Sequence, residues 1–178
     1  MKYKLTDETK QINGITLHRI VCVTSFASVS AGEIGGWVES ENNLSQFCNA
    51  WVYDNAEVYG NAKVCGDAKV YENAWVYGNA KVCGNAKVYG NADVCGDALV
   101  CDDDDYIVMK NNWSSGRYFT YTMSNDKWKV GCFYGSGEEL IAKAYKDSEL
   151  SGDCYKAAVE FVEKIKAAKK KYANEKDK

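Results

Sequence analysis

The chain has 178 residues, 46% of them hydrophobic, with a formal net charge of −3, eight cysteines and no proline. That length fits one compact unit or two intimately packed ones with a sizeable core, and the acidic balance argues against a chain that works by binding nucleic acid. The polar start Met1–Glu8 and the short apolar stretches fit neither a signal peptide nor a membrane span, so a cytosolic protein with reduced thiols is expected.

Residues 1–33 read as a small β cap. Tyr3–Leu5 and Ile15–Val23 are strand-like, with Asn13-Gly14 as a hairpin turn between them. Residues 34–48 read as a degenerate coil in which Leu44 takes an alanine-type position, six residues before Ala50.

Nine consecutive six-residue units then run from Asn49 to Asp102, each Asn/Asp, Ala, variable, Val, Tyr/Cys and usually Gly. Within a unit, Ala and Val alternate with outward residues, which is a short strand. The Gly-Asn pair supplies a corner, because both residues tolerate positive φ. Such a repeat predicts a parallel β-helix, in which no unit buries its apolar side until neighbours stack on it. The Tyr/Cys pattern matches best at a spacing of three units, as in Tyr53/Tyr71, Tyr59/Tyr77 and Cys65/Cys83, so three hexads should close one coil of a triangular prism.

The run Asp102–Asp105 should be a solvated turn where the coil ends, with no ordered set of oxygen ligands for calcium. Tyr106–Met109, Arg117–Thr122 and Lys127–Tyr134 are three further strand-like runs. Ser136 and Glu139 form a capping box that should start a short helix. A longer helix over Asp153–Lys171 places Tyr155, Ala158, Val159, Val162, Ile165 and Ala168 on one face. The tail Lys164–Lys178 holds seven lysines and reads as a solvated helix end. The fold expected is mainly β: a parallel β-helix (34–102) between the N-terminal cap (1–33) and an α+β domain (103–178) of antiparallel sheet and two helices.

The repeats resemble those of the hexapeptide-repeat, left-handed β-helix proteins, and the left hand is what that resemblance implies. A nearer resemblance is to small proteins of phages and prophages of Gram-positive bacteria. It is carried by Gly35-Gly36-Trp37-Val38-Glu39-Ser40-Glu41 and Asn43-Leu44-Ser45-Gln46 at the start, and by the Asn-Ala-x-Val units. At the end it is carried by Asn112–Tyr121 and Trp128–Phe133.

Hexapeptide-repeat proteins include acyltransferases that use a histidine base beside the coil. The only histidine here is His18, in the N-terminal segment and outside every regular hexad. A base must reach the proton it takes, and no inserted loop builds an acceptor pocket, so acyl transfer is disfavoured. The carbonic-anhydrase branch needs three histidines on zinc. No phosphate loop or Ser/His/Asp set is visible, and there is no CxxC pair of the zinc-site kind. No enzyme activity, cofactor or metal is therefore expected. Cys65, Cys83 and Cys101 should stack in one outward column, as small side chains of a flat face.

The outward positions offer binding instead. One prism face carries Trp51, Tyr53, Lys69, Tyr71, Lys87 and Tyr89, and a second carries Glu57, Tyr59, Trp75, Tyr77, Asp93 and Cys95. Aromatic faces of this kind are usually covered, by the rest of the chain, by further copies in a dimer or trimer, or by a foreign partner. With Trp113, Arg117, Tyr118 and Trp128 of the C-terminal segment, the first face makes the candidate binding set. The function expected is that of a non-catalytic binding protein. The phage-type resemblance implies a host protein as partner, such as an anti-phage defence effector of CRISPR type. A nucleotide-signal sponge, with bases stacked beside Lys69 and Lys87, is the first alternative, and an acyltransferase the second.

Overall fold

A computed structural model describes residues 1–176, with side chains as far as Ala173; Asp177 and Lys178 of the lysine-rich tail lie outside the described residues. The chain opens with an antiparallel hairpin, β1 (Tyr3–Ile12) and β2 (Ile15–Cys22), turned at Asn13 and Gly14 with φ of +49° and +82°. Strand β3 (Ile34–Val38) pairs antiparallel with β2. Nine two-residue rungs follow: β4 (Trp51–Val52), β5 (Glu57–Val58), β6 (Lys63–Val64), β7 (Lys69–Val70), β8 (Trp75–Val76), β9 (Lys81–Val82), β10 (Lys87–Val88), β11 (Asp93–Val94) and β12 (Leu99–Val100).

These rungs form a β-solenoid. Every third rung pairs in parallel, so the three faces are β4-β7-β10, β5-β8-β11 and β6-β9-β12. The valines and alanines of the hexads point inside and are buried throughout, forming one continuous core that also takes in Tyr3, Ile20, Val38 and Leu44. Burying each valine side chain contributes about 1.5–3 kcal/mol, and rungs of about 4.8 Å keep those side chains in contact up the column.

The opening coil departs from the expectation at one residue. Trp37 pairs with Glu57 and Leu44 bridges Val64, a spacing two residues longer than the 18 of the regular coils. Leu44 therefore sits in a valine column and not in an alanine one. The two extra residues lie between Ser45, whose amide still follows the longer spacing to Val64 O, and Asn49, whose amide is back in the regular register on Gly66 O. The 3-10 turn Glu41–Asn43, which Ser40 caps, keeps step with the coil above it. With this coil the solenoid has about four turns, and β1 and β2 continue the β3-β5-β8-β11 sheet past its first rung.

The two open ends are closed by groups of opposite character. Each rung amide donates to a carbonyl of the next coil, as Lys63 N does to Ala80 O at 2.9 Å. The first regular coil thus leaves carbonyls over, and donors meet them. Lys2 Nζ reaches Ala50 O at 2.7 Å, Asn43 Nδ2 reaches Ala62 O at 2.9 Å, and the amides of Trp37 and Ser45 reach Ala56 O and Val64 O. The last coil leaves amides over, and side-chain oxygens accept them. Lys87 N donates to Asp103 Oδ1 (2.7 Å), Asp93 N to Thr120 Oγ1 (2.9 Å), Leu99 N to Ser124 Oγ (2.8 Å) and Cys101 N to Asp105 Oδ2 (2.7 Å). The Asp102–Asp105 run is therefore more than a solvated turn: two of its carboxylates cap strand ends that would otherwise invite pairing, and Asp104 pairs with Lys169.

Beyond the solenoid lie β13 (Tyr106–Lys110), β14 (Tyr118–Thr122), β15 (Lys127–Val130) and β16 (Phe133–Gly135), in that order in one antiparallel sheet. The run expected as one strand over 127–134 is two, broken at Gly131, whose φ of +56° makes the turn. Helix α1 (Gly137–Asp147) carries the Ser136/Glu139 capping box, and α2 (Glu149–Lys176) is longer than expected at both ends. Tyr155, Ala158, Val159 and Val162 pack on the sheet with Phe119, Tyr121 and Trp128. Ala168 of the expected apolar face is exposed.

Candidate functional site

The ten candidate residues separate into two groups. Trp51 lies on the first face but is fully buried, edge-on to Tyr3, Phe26 and Tyr53. Trp128 is 2% exposed in the C-terminal core, and Trp113 is half-buried against Phe119 and Tyr155. These three fill space between elements and are no part of an open surface, which corrects the sequence reading. A large indole on a short strand marks a place that something covers, and here the chain itself covers it.

The others face outward. Tyr53, Lys69, Tyr71 and Lys87 line a shallow depression of about 330 Å³ on the first face, and Tyr71 stacks on Tyr89 at 5.2 Å with the rings 10° apart. Arg117 is exposed and Tyr118 is 43% exposed. Tyr118 stands between two adjoining clefts at the junction of the solenoid with the C-terminal sheet. One, of about 420 Å³, is bounded by Tyr89, Asn91, Asp103 and Tyr106. The other, of about 550 Å³, runs past the corner Asn55, Asn73 and Asn91 and is walled by Lys10, Glu57, Trp75, Asp93 and Arg117. Clefts of this size between structural units are where small or extended ligands bind.

The second face supplies the chemistry of the larger cleft. Glu57, Trp75 and Asp93 stand on successive rungs, with Trp75 paired to both neighbours. Glu57 is buried. Its Oε1 meets Lys10 Nζ at 2.7 Å, while its Oε2 has no partner. Asp93 Oδ1 is likewise buried without a partner. Burial pushes the Asp93 carboxyl above the usual carboxylate range, against the pull of the Tyr77 hydroxyl and of Lys129. Beside it, burial pushes the Cys95 thiol up to about 11 and raises the Tyr77 phenol further. A carboxyl perturbed in this way in a cleft wall is a candidate functional group.

The sequence reading put Glu57, Trp75 and Asp93 on the right face but did not select them. A signal was present: the variable hexad position is Lys at 63, 69, 81 and 87, while this column reads Glu, Trp, Asp. Lys10 had no signal, since only the hairpin geometry brings it to Glu57.

His18 is half-buried on β2, with Nδ1 3.3 Å from Thr6 O, and it does not line either cleft. Cys65, Cys83 and Cys101 are half-buried free thiols, and Cys83 is pushed up to about 12 by burial and by its hydrogen bond with the Cys101 thiol. No group of three or more metal-type side chains occurs among the described residues, and no helix among them is long and apolar enough to cross a membrane.

Fold and site together define a hexad-repeat β-solenoid protein with a cleft at the solenoid's junction with its C-terminal sheet. No family model matches the chain. Over 61 residues it is 33% identical to a curated protein of Escherichia coli named "Uncharacterized acetyltransferase YdcK". The match takes in 30% of this chain and 19% of that protein, so the chain spans about a fifth of the relative's length. That name overturns the expectation of a protein without catalysis. The lack of a linear motif was thin ground for it, because Lys10, Glu57, Asp93 and Arg117 meet in one cleft from distant parts of the chain.

Proposed function

We propose that the protein works by recognition, with the junction clefts as its binding surface and a host protein as its partner, in the manner of the phage-type proteins it resembles. The observation that carries this reading is the cleft wall itself. Trp75, Tyr89 and Tyr118 stand 40–48% exposed at the junction beside buried carboxylate oxygens that lack partners. Exposed aromatic anchors beside unsatisfied polar groups are what a partner's side chains complete. The solenoid supplies rigidity, since its rungs are bonded at every level. The test is capture of a host protein by the tagged chain, followed by Tyr118→Ala with Arg117→Glu. Loss of the complex with unchanged melting supports this surface, and retention moves the interface elsewhere.

A second reading is acetyl transfer to an amine held in the same cleft, favoured by the relative's name. Its test is turnover of acetyl-CoA with a panel of amines. Turnover that Asp93→Asn abolishes and His18→Ala leaves intact supports it, and absence of turnover removes it.

A further inference from the structure

The second face carries two indoles along its axis, and among the described residues only one of them has cations over it. Its outward column runs Arg19, Trp37, Glu57, Trp75, Asp93 on successive strands. At the first indole, Trp37, the chain supplies its own cations. The Arg19 guanidinium lies 4.4 Å from the ring centre, Lys10 Nζ lies 4.4 Å from it, and Lys10 also pairs with Glu57. The second indole, Trp75, stands between two carboxylates, Glu57 on the rung below and Asp93 on the rung above, where Trp37 stands between Arg19 and Glu57. Among the described residues no cation lies over it. Trp37 is 7% exposed, whereas Trp75 is 40% exposed and opens into the larger cleft.

We propose that Trp75, with Glu57 and Asp93, forms a subsite for an arginine side chain of a partner polypeptide. Three features select that chemistry. The indole face attracts a cation. The partnerless oxygens of Glu57 and Asp93 both call for N–H donors. Those carboxylates stand two rungs apart, about 10 Å along the face, so a ligand serving both needs donors on two edges. A guanidinium is planar, stacks on an aromatic ring and carries donors on both sides, whereas an ammonium is a point donor. Arg117 on the facing wall repels a second cation and attracts an acidic group, so an arginine next to a carboxylate in the partner's chain matches both walls. The inference deepens the recognition reading and rests on it for the identity of the partner.

The test uses blocked tripeptides, acetyl-Gly-Arg-Gly-amide and its citrulline and lysine counterparts, with agmatine as a free guanidinium, titrated by calorimetry against the full chain. The arginine peptide is expected to bind at least about tenfold more tightly than the neutral citrulline peptide, and more tightly than the lysine peptide. Asp93→Asn and Trp75→Leu should each weaken it at unchanged melting temperature. Equal binding of the citrulline or lysine peptide overturns the proposal, as do absence of binding and indifference to Asp93→Asn. Binding of agmatine in preference to the peptide also overturns it, since the site would then serve a free cation. A host complex that survives Asp93→Asn but not Tyr118→Ala with Arg117→Glu sinks this subsite alone and leaves the recognition surface standing.

Discussion

Thr120 accepts the backbone amide of Asp93 at 2.9 Å, so a side chain of the C-terminal sheet completes the last rung of the solenoid's second face. Thr120 is 1% exposed. The two units are thus joined by a hydrogen bond at the residue whose carboxyl walls the larger cleft. Closing the edge and positioning the site are the same act.

Thr120→Val tests this directly. The substitution keeps the shape and removes the acceptor, leaving a buried amide without a partner, which costs about 1–3 kcal/mol. The expected result is a lower urea midpoint with little change in slope. Ser124→Ala, which removes the acceptor for the exposed Leu99 rung, should cost less, because water can replace the serine. Equal effects at the two positions would show that these side chains do not act as edge caps.

A stacked corner of the prism leaves little room for a side chain. Gly78, at φ +70°, would bring a Cβ to 3.0 Å from Gly96 N, and Gly84 would bring one to 2.5 Å from Cys101 O, in both cases against backbone. Gly90, in the last coil at the corner between the first and second faces, has no coil stacked on it, and a Cβ there meets only a Glu72 oxygen at 3.9 Å. The chain places Asp54 and Glu72 lower in the same column, at φ of +51° and +60°. The left-handed backbone costs about 1 kcal/mol for a side chain. Glu72→Gly is expected to stabilise by about 0.5 kcal/mol once the freer unfolded chain is allowed for, and Gly78→Ala to destabilise by more than that. Thermal melts of the two variants decide it. A lower melting temperature for Glu72→Gly would mean that its side chain does more than occupy the corner.

Most of the solenoid was legible because its rule is one-dimensional. A hexad that alternates inward and outward residues leaves the valines no other place, and the Tyr/Cys spacing sets the number of rungs per coil. Legibility stopped where contacts join distant segments. Leu44 shifted column because two extra residues between Ser45 and Asn49 lengthen the opening coil. Trp51 and Trp128 looked like surface anchors because outward from a strand is not the same as outward from the molecule. The cleft was legible only as a column of residue types, Glu57, Trp75 and Asp93. Its other walls, Lys10 and Arg117, come from the N-terminal hairpin and from the entry to β14.

The buried phenols and thiols predict how stability depends on pH. Burial raises Tyr59 to about 12 from 10.0, Cys95 to about 11 from 9.0 and Cys83 to about 12 from 9.0, and it raises Tyr3, Tyr77, Tyr106 and Tyr121 as well. A group whose folded pKa is raised holds its proton more tightly when folded, so its contribution is complete below the unfolded value and is lost as pH climbs toward the folded one. The loss begins near 9 for the thiols and near 10 for the tyrosines. Lys2 acts in the opposite sense. Burial lowers it to about 8 from 10.5, so between those values the unfolded chain holds the extra proton and rising pH favours the fold. Urea midpoints should therefore hold or rise slightly from pH 8 to 9, then fall steeply above 10 as the more numerous phenols and thiols prevail. Lys2→Met should remove the rise, and Tyr59→Phe should make the fall shallower. A midpoint that stayed level to pH 11 would contradict the burial of these groups.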